Sequence, residues 1–170
     1  MTTFEFIEKE KLQDSDVNRY TVYNKETRRP VFIKLSGVSV HQSLEKARVS
    51  IAVSTLDAVK MNKIFSEVHL SFCDTMDEAF ETLPLSTKTY RSQDGKDLLI
   101  FRASKFSTFY HGTSNKLYER PPTSFEGDVL LKISQVTEGE SLGIALSIYE
   151  ATVTQENRRR LLIDASVDCL

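Results

Sequence analysis

The 170-residue chain has no tryptophan, two cysteines, six glycines and four prolines. With Gly and Pro so scarce, it is neither collagenous nor broadly disordered. Cys73 and Cys169 lie far apart and are too few for the disulfide framework of a small secreted domain. A reducing interior is therefore the expected setting, with Cys73 as a small buried apolar residue and Cys169 as a free thiol near the end. No apolar run approaches the ~20 residues that span a bilayer, so no membrane partner is expected. The start, Met1-Thr2-Thr3-Phe4-Glu5-Phe6, lacks the basic region and apolar stretch of a secretory signal. The end, Asp168-Cys169-Leu170, lacks the form that prenylation requires. A net charge of −2, from 22 basic and 24 acidic side chains, excludes a histone-like polycation while leaving room for a local basic patch. No repeat and no Gly/Ser/Pro-rich linker divides the chain, so residues 1–170 are expected to form a single domain.

Catalytic signatures are also missing. His41, His69 and His111 stand apart from one another, with no H-E-x-x-H and no Cys/His cluster at metal-ligand spacing. There is no G-x-S-x-G elbow, no phosphate-binding P-loop and no G-x-G-x-x-G turn. No enzyme activity, metal or cofactor is implied. Asp74, Asp77, Glu78 and Glu81 read as a solvated acidic helix whose first turn complements the helix dipole.

What is present is mostly strand. Phe4–Ile7, Tyr20–Tyr23, Val31–Leu35, Val38–Val40 and Arg48–Val53 are rich in β-formers, and the last alternates with period two. Asn24–Pro30 reads as a polar turn and Gly37 as a bulge. Ser54-Thr55-Leu56-Asp57 has the form of a capping box. The helix after it is expected to end before Val68, with Val68, Leu70 and Phe72 alternating as a strand. A second helix is expected from Asp74, with Met76, Ala79, Phe80 and Leu83 as its apolar stripe and Pro84 as its stop. Leu98–Phe101, Phe106–Tyr110, Val129–Ile133 and Leu142–Val153 are further strands, with a hairpin connection at Glu138-Gly139-Glu140-Ser141. Leu161-Leu162-Ile163 is a last short strand or the start of a terminal helix. The expected fold is mainly β: a β-barrel with one or two short inserted helices, or alternatively a two-sheet β-sandwich or jelly roll.

Charge and aromatics are unevenly distributed. Ser66–Leu83 holds five acids and no base. Lys88–Arg120 holds seven bases against three acids, a local excess of +4, and six of the sixteen aromatics. Single-stranded nucleic acid calls for this mixture, because cations neutralise phosphates and flat rings stack on unpaired bases. The candidate nucleic-acid-binding residues are Tyr90, Arg91, Lys96, Arg102, Lys105, Phe106, Tyr110, Lys116, Tyr118 and Arg120. Phe101 and Phe109 are assigned to the core. Arg28-Arg29 beside Tyr20 and Tyr23 is a second basic-aromatic spot, and Arg158-Arg159-Arg160 a third basic cluster. Gly112-Thr113-Ser114-Asn115 reads as a loop.

Three segments between Ser104 and Val153 carry a family likeness. They are Arg120-Pro121-Pro122, then Phe125-Glu126-Gly127-Asp128-Val129, then Leu142-Gly143-Ile144-Ala145-Leu146-Ser147-Ile148. This stretch, about 50 of the 170 residues, resembles bacteriophage single-stranded DNA-binding proteins of the OB-fold kind. There, a proline-containing basic loop precedes a Gly-led strand, and a Gly-led apolar strand follows. The resemblance implies a five-stranded barrel with an inserted helix. It also implies a sequence-tolerant groove for single strands, DNA in preference, in replication, recombination or repair inside the host cell, with replication proteins as further partners. The chain departs from the pattern in two ways. Its end, Asp164 to Leu170, is only mildly acidic, which puts tail-mediated recruitment in doubt. Without tryptophan, any stacking falls to Tyr, Phe or Arg.

A second reading, a coat-like viral assembly subunit or protein-interaction module, predicts the same strand pattern on a sandwich. An open edge of a partial barrel leaves room for a homodimer, which nothing in the sequence specifies.

Overall fold

The structure is a computed structural model, which describes residues 3–43, 45–79, 81–93 and 95–157. Cys169, the Arg158-Arg159-Arg160 cluster, the Leu161–Ile163 segment and Phe80 lie outside the described residues. The elements run β1 (Phe4–Glu8), β2 (Asn18–Asn24), β3 (Phe32–Ser43), β4 (Arg48–Val53), α1 (Thr55–Thr75), β5 (Tyr90–Gln93), β6 (Lys96–Arg102), β7 (Thr108–His111), β8 (Ser124–Glu138) and β9 (Leu142–Glu156). The fold is mainly β, and the nine strands of the described residues form one sheet. The order is β1-β2-β8-β3-β4-β6-β5, with β9 on β8 and β7 on β9. Between these named strands, all pairings are antiparallel except β7 with β9.

The long β8–β9 ribbon organises the sheet, 15 residues on each side and roughly 45 Å end to end. Alternation decides its faces: Phe125, Val129, Leu131 and Ile133 on β8, and Leu142, Ile144, Leu146 and Ile148 on β9, all point into the core. The sheet curls round that core without closing into a continuous hydrogen-bonded barrel. The near half of the free β9 edge is met by the segment before β5, through Ser86 N–H to Leu142 C=O at 2.9 Å and Thr89 Oγ1 to Ile144 C=O at 2.7 Å. The far half is paired by β7. The result is OB-like with more strands than the five implied by the resemblance.

Local chemistry sets the bends. Gly37 stands at φ +61°, where β3 changes register between Leu35 and Val38, and its N–H reaches Asp128 Oδ1 at 2.9 Å; this is the expected bulge. Gly127 marks a register shift between β8 and β9, where a Cβ would run into the Thr152 carbonyl oxygen. The Asn24–Pro30 turn is held by Asn24 Oδ1 accepting the Glu26 N–H at 3.0 Å, with Arg28 at φ +58°.

The helical region departs most from expectation. Ser54 does cap α1, its Oγ accepting the Asp57 N–H at 3.2 Å. But among the described residues there is one helix rather than two, and it is 21 residues long. It runs straight through Val68–Phe72, where a strand was expected. Buried Met61, Phe65, Val68, His69 and Phe72 follow helical spacing, while Leu70, the middle of the supposed alternation, is exposed. The period of 3.6 prevails because the helix packs one stripe across the opening of the curled sheet. The Phe72 ring meets Phe6 and Tyr20 edge-on, both at 5.1 Å.

No second helix starts at Asp74. That position lies in the last turn of α1, and the chain leaves the helix through a Schellman-type ending. Asp77 takes φ +51°, with Glu78 N–H on Cys73 C=O at 2.9 Å and Asp77 N–H on Asp74 C=O at 3.4 Å. Residues 77–79 and 81–83 are turns and irregular backbone. The acids therefore sit at or beyond the helix C-terminus, the end where the dipole does not favour them. Cys73 is buried as expected, and burial, with Glu78 and Asp74 nearby, pushes its thiol up. His69 is buried, its Nε2 2.6 Å from Leu83 C=O.

Candidate nucleic-acid interface

The ten candidate residues divide between two places. Tyr90, Arg91 and Lys96 lie on the β5–β6 hairpin. Lys96 and Arg102 share a face of β6 but occupy its two ends, about 20 Å apart. The Tyr90 ring is half-buried against Phe65 (centroids 6.0 Å apart), and its hydroxyl accepts from Asn62 Nδ2 at 3.4 Å. Burial first, then the Asp97 charge, raises the Tyr90 hydroxyl above its ordinary pKa. Its ring is therefore largely a packing group. Arg91 and Lys96 are exposed.

The other seven lie at or beyond the far end of β6, on four successive pieces of backbone. Arg102 ends β6. The loop after it is tied to the β3–β4 hairpin by Ala103 N–H on Ala47 C=O at 2.8 Å. Lys105 and Phe106 ride on this loop, and Phe106 is 91% exposed. β7 then folds back in a small hairpin, with His111 N–H on Lys116 C=O and Tyr118 N–H on Phe109 C=O, both at 2.8 Å. That hairpin carries Tyr110, Lys116 and Tyr118. The Tyr118 ring stacks on His111 at 3.6 Å and 16°. The expected Gly112–Asn115 loop is its turn, with Asn115 at φ +55° and Gly112 N–H on Val153 C=O at 2.8 Å. Finally, Gln42, buried at the end of β3, donates from Nε2 to Pro122 C=O at 2.7 Å and from its own N–H to Thr123 C=O at 2.6 Å. These two bonds bring the Arg120–Pro122 segment to the same end. Phe101 and Phe109 are core, as assigned, with Phe109 edge-on to Phe125 at 5.8 Å.

One residue of this end was missed in the candidate set. Arg48, the first residue of β4, is directly opposite Arg102 in the β4–β6 register, and both are exposed. Like charges directly opposed across a strand pair are destabilising. Among the described residues neither guanidinium reaches a carboxylate within ion-pair distance. The two guanidinia stand on neighbouring strands of a rigid ladder, each with a fork of N–H donors of the shape that suits carboxylate or phosphate oxygens. Arg48 was legible only as an outward position of an alternating strand. Its pairing with a residue 54 positions later depends on the register.

Of the second basic-aromatic spot, Tyr23 stays partly exposed on the strand that pairs with Pro30, next to Arg29. Tyr20 is buried beside Phe72, leaving Arg28 and Arg29 exposed in the turn. Among the described residues no group of His, Cys, Asp and Glu is arranged to hold a metal, and no helix is long and apolar enough to cross a membrane.

This geometry can be set beside known proteins. No protein-family model and no curated protein sequence matches the chain. Among solved structures it is similar to the single-stranded DNA-binding protein from bacteriophage Enc34. The C-terminally truncated form matches at a TM-score of 0.54 and 12% identity, over 90% of this chain and 96% of that one. The same phage protein in complex with single-stranded DNA matches at 0.52 and 10%, over 90% and 97%. The likeness is one of fold. It extends the resemblance read from the stretch Ser104–Val153 to nearly the whole chain.

Proposed function

We propose that this chain is a non-catalytic, sequence-tolerant single-stranded DNA-binding protein acting inside a phage- or virus-infected cell, in replication, recombination or repair. The observation that carries the reading is the exposed Arg48–Arg102 pair on an OB-like sheet, with the almost fully exposed Phe106 on the loop that follows Arg102. Arg48, Arg102, Lys105, Lys116 and Arg120 neutralise phosphates. Phe106, with Tyr110 and Tyr118 at the rim, stacks on bases. Arg91, Lys96 and Tyr90 border the far end of the same strand and extend the path rather than form its centre. Backbone contacts and stacking read no base edge, so binding tolerates sequence. The similar fold of a phage protein whose structure holds single-stranded DNA supports this choice of partner. Homodimers and contacts with replication proteins belong to the same reading, the former through an open sheet edge.

Five phosphate contacts predict a slope of log affinity on log salt of about −3.5 for a single strand, or roughly 100-fold weaker binding from 50 to 200 mM salt. Fluorescence anisotropy with labelled oligo-dT, against a duplex of equal length at those two salts, tests this. Tight, salt-steep binding that prefers the single strand is expected. Binding that is absent at low salt, or indifferent to salt, removes the reading.

A further inference from the structure

A second group of rings and cations lies on the outer face of β3, β8 and β9, where the segment after Phe106 comes alongside: Ser107 Oγ donates to Ile148 C=O, and Thr108 Oγ1 to Tyr149 C=O at 3.4 Å. Phe32 on β3 and Tyr149 on β9 are 38% and 48% exposed. They meet edge-on over β8, with centroids 5.1 Å apart. Their strands flank β8, so ordinary alternation would leave these rings separated. Tyr149 crosses because β9 bulges there: Leu130 pairs with Glu150 and Leu131 with Ile148, leaving Tyr149 as the extra residue. Bulges of this kind re-aim a side chain, and they recur beside functional sites.

Cations surround the pair. Lys132 is directly opposite Phe32 in the β3–β8 register, and Lys34 is two residues along the same face of β3. Lys9 donates to Gln135 Oε1 at 2.9 Å, three residues along β8 from Lys132, and Arg19 stands opposite Thr137, its guanidinium donating to Glu10 C=O at 3.0 Å. Burial first, then Arg19 and Lys132, lower the Lys9 pKa, as expected where like charges crowd together. Next to the rings is a cavity of about 340 Å³, lined by Lys34, Leu130, Thr152 and two carboxylates. Asp128 is committed to the Gly37 N–H. Glu150 is two strands from Lys34, across Leu130.

We infer that the Phe32–Tyr149 pair is a second base-stacking platform, with Lys34, Lys132, Lys9 and Arg19 holding the flanking phosphates of the same strand. This inference rests on the single-strand reading above. The outward residues of β3 connect the two places, from Ser43 beside Arg48 to Phe32, a path of about 35 Å. One protein thereby occludes a long stretch of strand, within the ~4–16 nucleotides that OB folds cover.

The test uses oligo-dT of graded length and a 5-iodouracil oligonucleotide photocrosslinked to the full chain, with peptide mapping. In the wild type, adducts are expected at Phe32 or Tyr149 as well as near Phe106. The double variant Phe32→Ala/Tyr149→Ala should bind long oligonucleotides roughly 5- to 150-fold more weakly. It should also reach its affinity plateau at a shorter length. Lys132→Gln, which removes no ring, should lower the salt slope by about 0.7. Thermal melting of both variants separates loss of folding from loss of binding. If the wild type binds strands but crosslinks only near Phe106, with the length plateau unmoved in the double variant, the inference fails and the first reading stands. Failure to bind any strand overturns both. A change in oligomeric mass by light scattering, with the length plateau unmoved, assigns this face to a second copy of the chain and overturns the inference.

Discussion

Replacing Arg102 with glutamine should move stability and binding in opposite directions. Arg102 is exposed and opposite Arg48, so the change removes a like-charge repulsion and no buried contact. Cross-strand pair energies are about 0.2–1 kcal/mol, and the gain in stability should lie in that range. For a domain of this size it appears as a rise in Tm of roughly 0.5–4 °C. Binding should suffer. A hydrogen bond to a charged group contributes about 1.5–3 kcal/mol, so affinity for oligo-dT at low salt should fall about tenfold or more. One lost phosphate contact lowers the salt slope by about 0.7, and the deficit against wild type should narrow by about 2.6-fold between 50 and 200 mM salt. The assays are a thermal melt and anisotropy titrations at the two salts, repeated for Arg48→Gln and for the double variant. The two stability gains should not add, because either change alone removes the repulsion. A fall in Tm of several degrees would show that Arg102 holds the fold through a contact. An unchanged salt slope would show that it neutralises no phosphate.

Four further outcomes follow from the same structure. Phe106→Ala should leave Tm within about 1–2 °C of wild type, since the ring is 91% exposed and surface changes stay near ±0.5 kcal/mol; oligo-dT affinity should drop about 5-fold or more, and unchanged affinity would remove Phe106 from the interface. Phe72→Ala should cost about 3–5 kcal/mol, read from the urea midpoint, because a fully buried ring in contact with Phe6 and Tyr20 leaves a cavity at the helix–sheet junction. Gly127→Ala should destabilise by about 1–3 kcal/mol or more, since its Cβ meets the Thr152 carbonyl on the rigid β9 backbone; a wild-type melt would show that β9 gives way. The last concerns pH. A hydrogen bond to Glu138, then burial, then the charge of Glu138 hold the Glu78 carboxyl above its ordinary value of 4.5. A raised acid favours the protonated form in the folded state, so its contribution is present below about pH 4.5 and is lost as pH climbs through the raised value. Glu78→Gln keeps a donor and removes the titration. It should match wild type in denaturant stability at acid pH and exceed it at pH 7; a difference constant from pH 4 to 8 would contradict the coupling.

The strands were legible because their side chains alternate cleanly: Val49 and Ile51 are buried, while Arg48 and Ala52 are exposed. The Gly37 bulge, the Asn24–Pro30 turn and the Ser54 cap were legible because each depends on one or two local residues. The helix end was not. Val68, Leu70 and Phe72 satisfy both periods in part, and only packing of Phe72 against Phe6 and Tyr20 selects the helical one. The Asp74 start failed for a related reason: an Asp precedes a helix in many chains, but here Asp77 enters the left-handed region and ends one.

The site was legible by composition and hidden in its geometry. Counting charges and rings in Lys88–Arg120 picked out ten residues, seven of them at or beyond the Arg102 end of β6. Counting could not separate those seven from Tyr90, Arg91 and Lys96, because the division follows from the two ends of β6 and the curl of the sheet. Nor could it reach Arg48, Phe32, Tyr149 or Lys132. Their significance comes from pairings 54 to 117 positions apart in sequence. By itself the sequence determined which residues alternate, turn and cap, since those depend on neighbours within a few positions. The tertiary structure alone decided which cations and rings face one another, since that depends on strand register and on where each bulge falls.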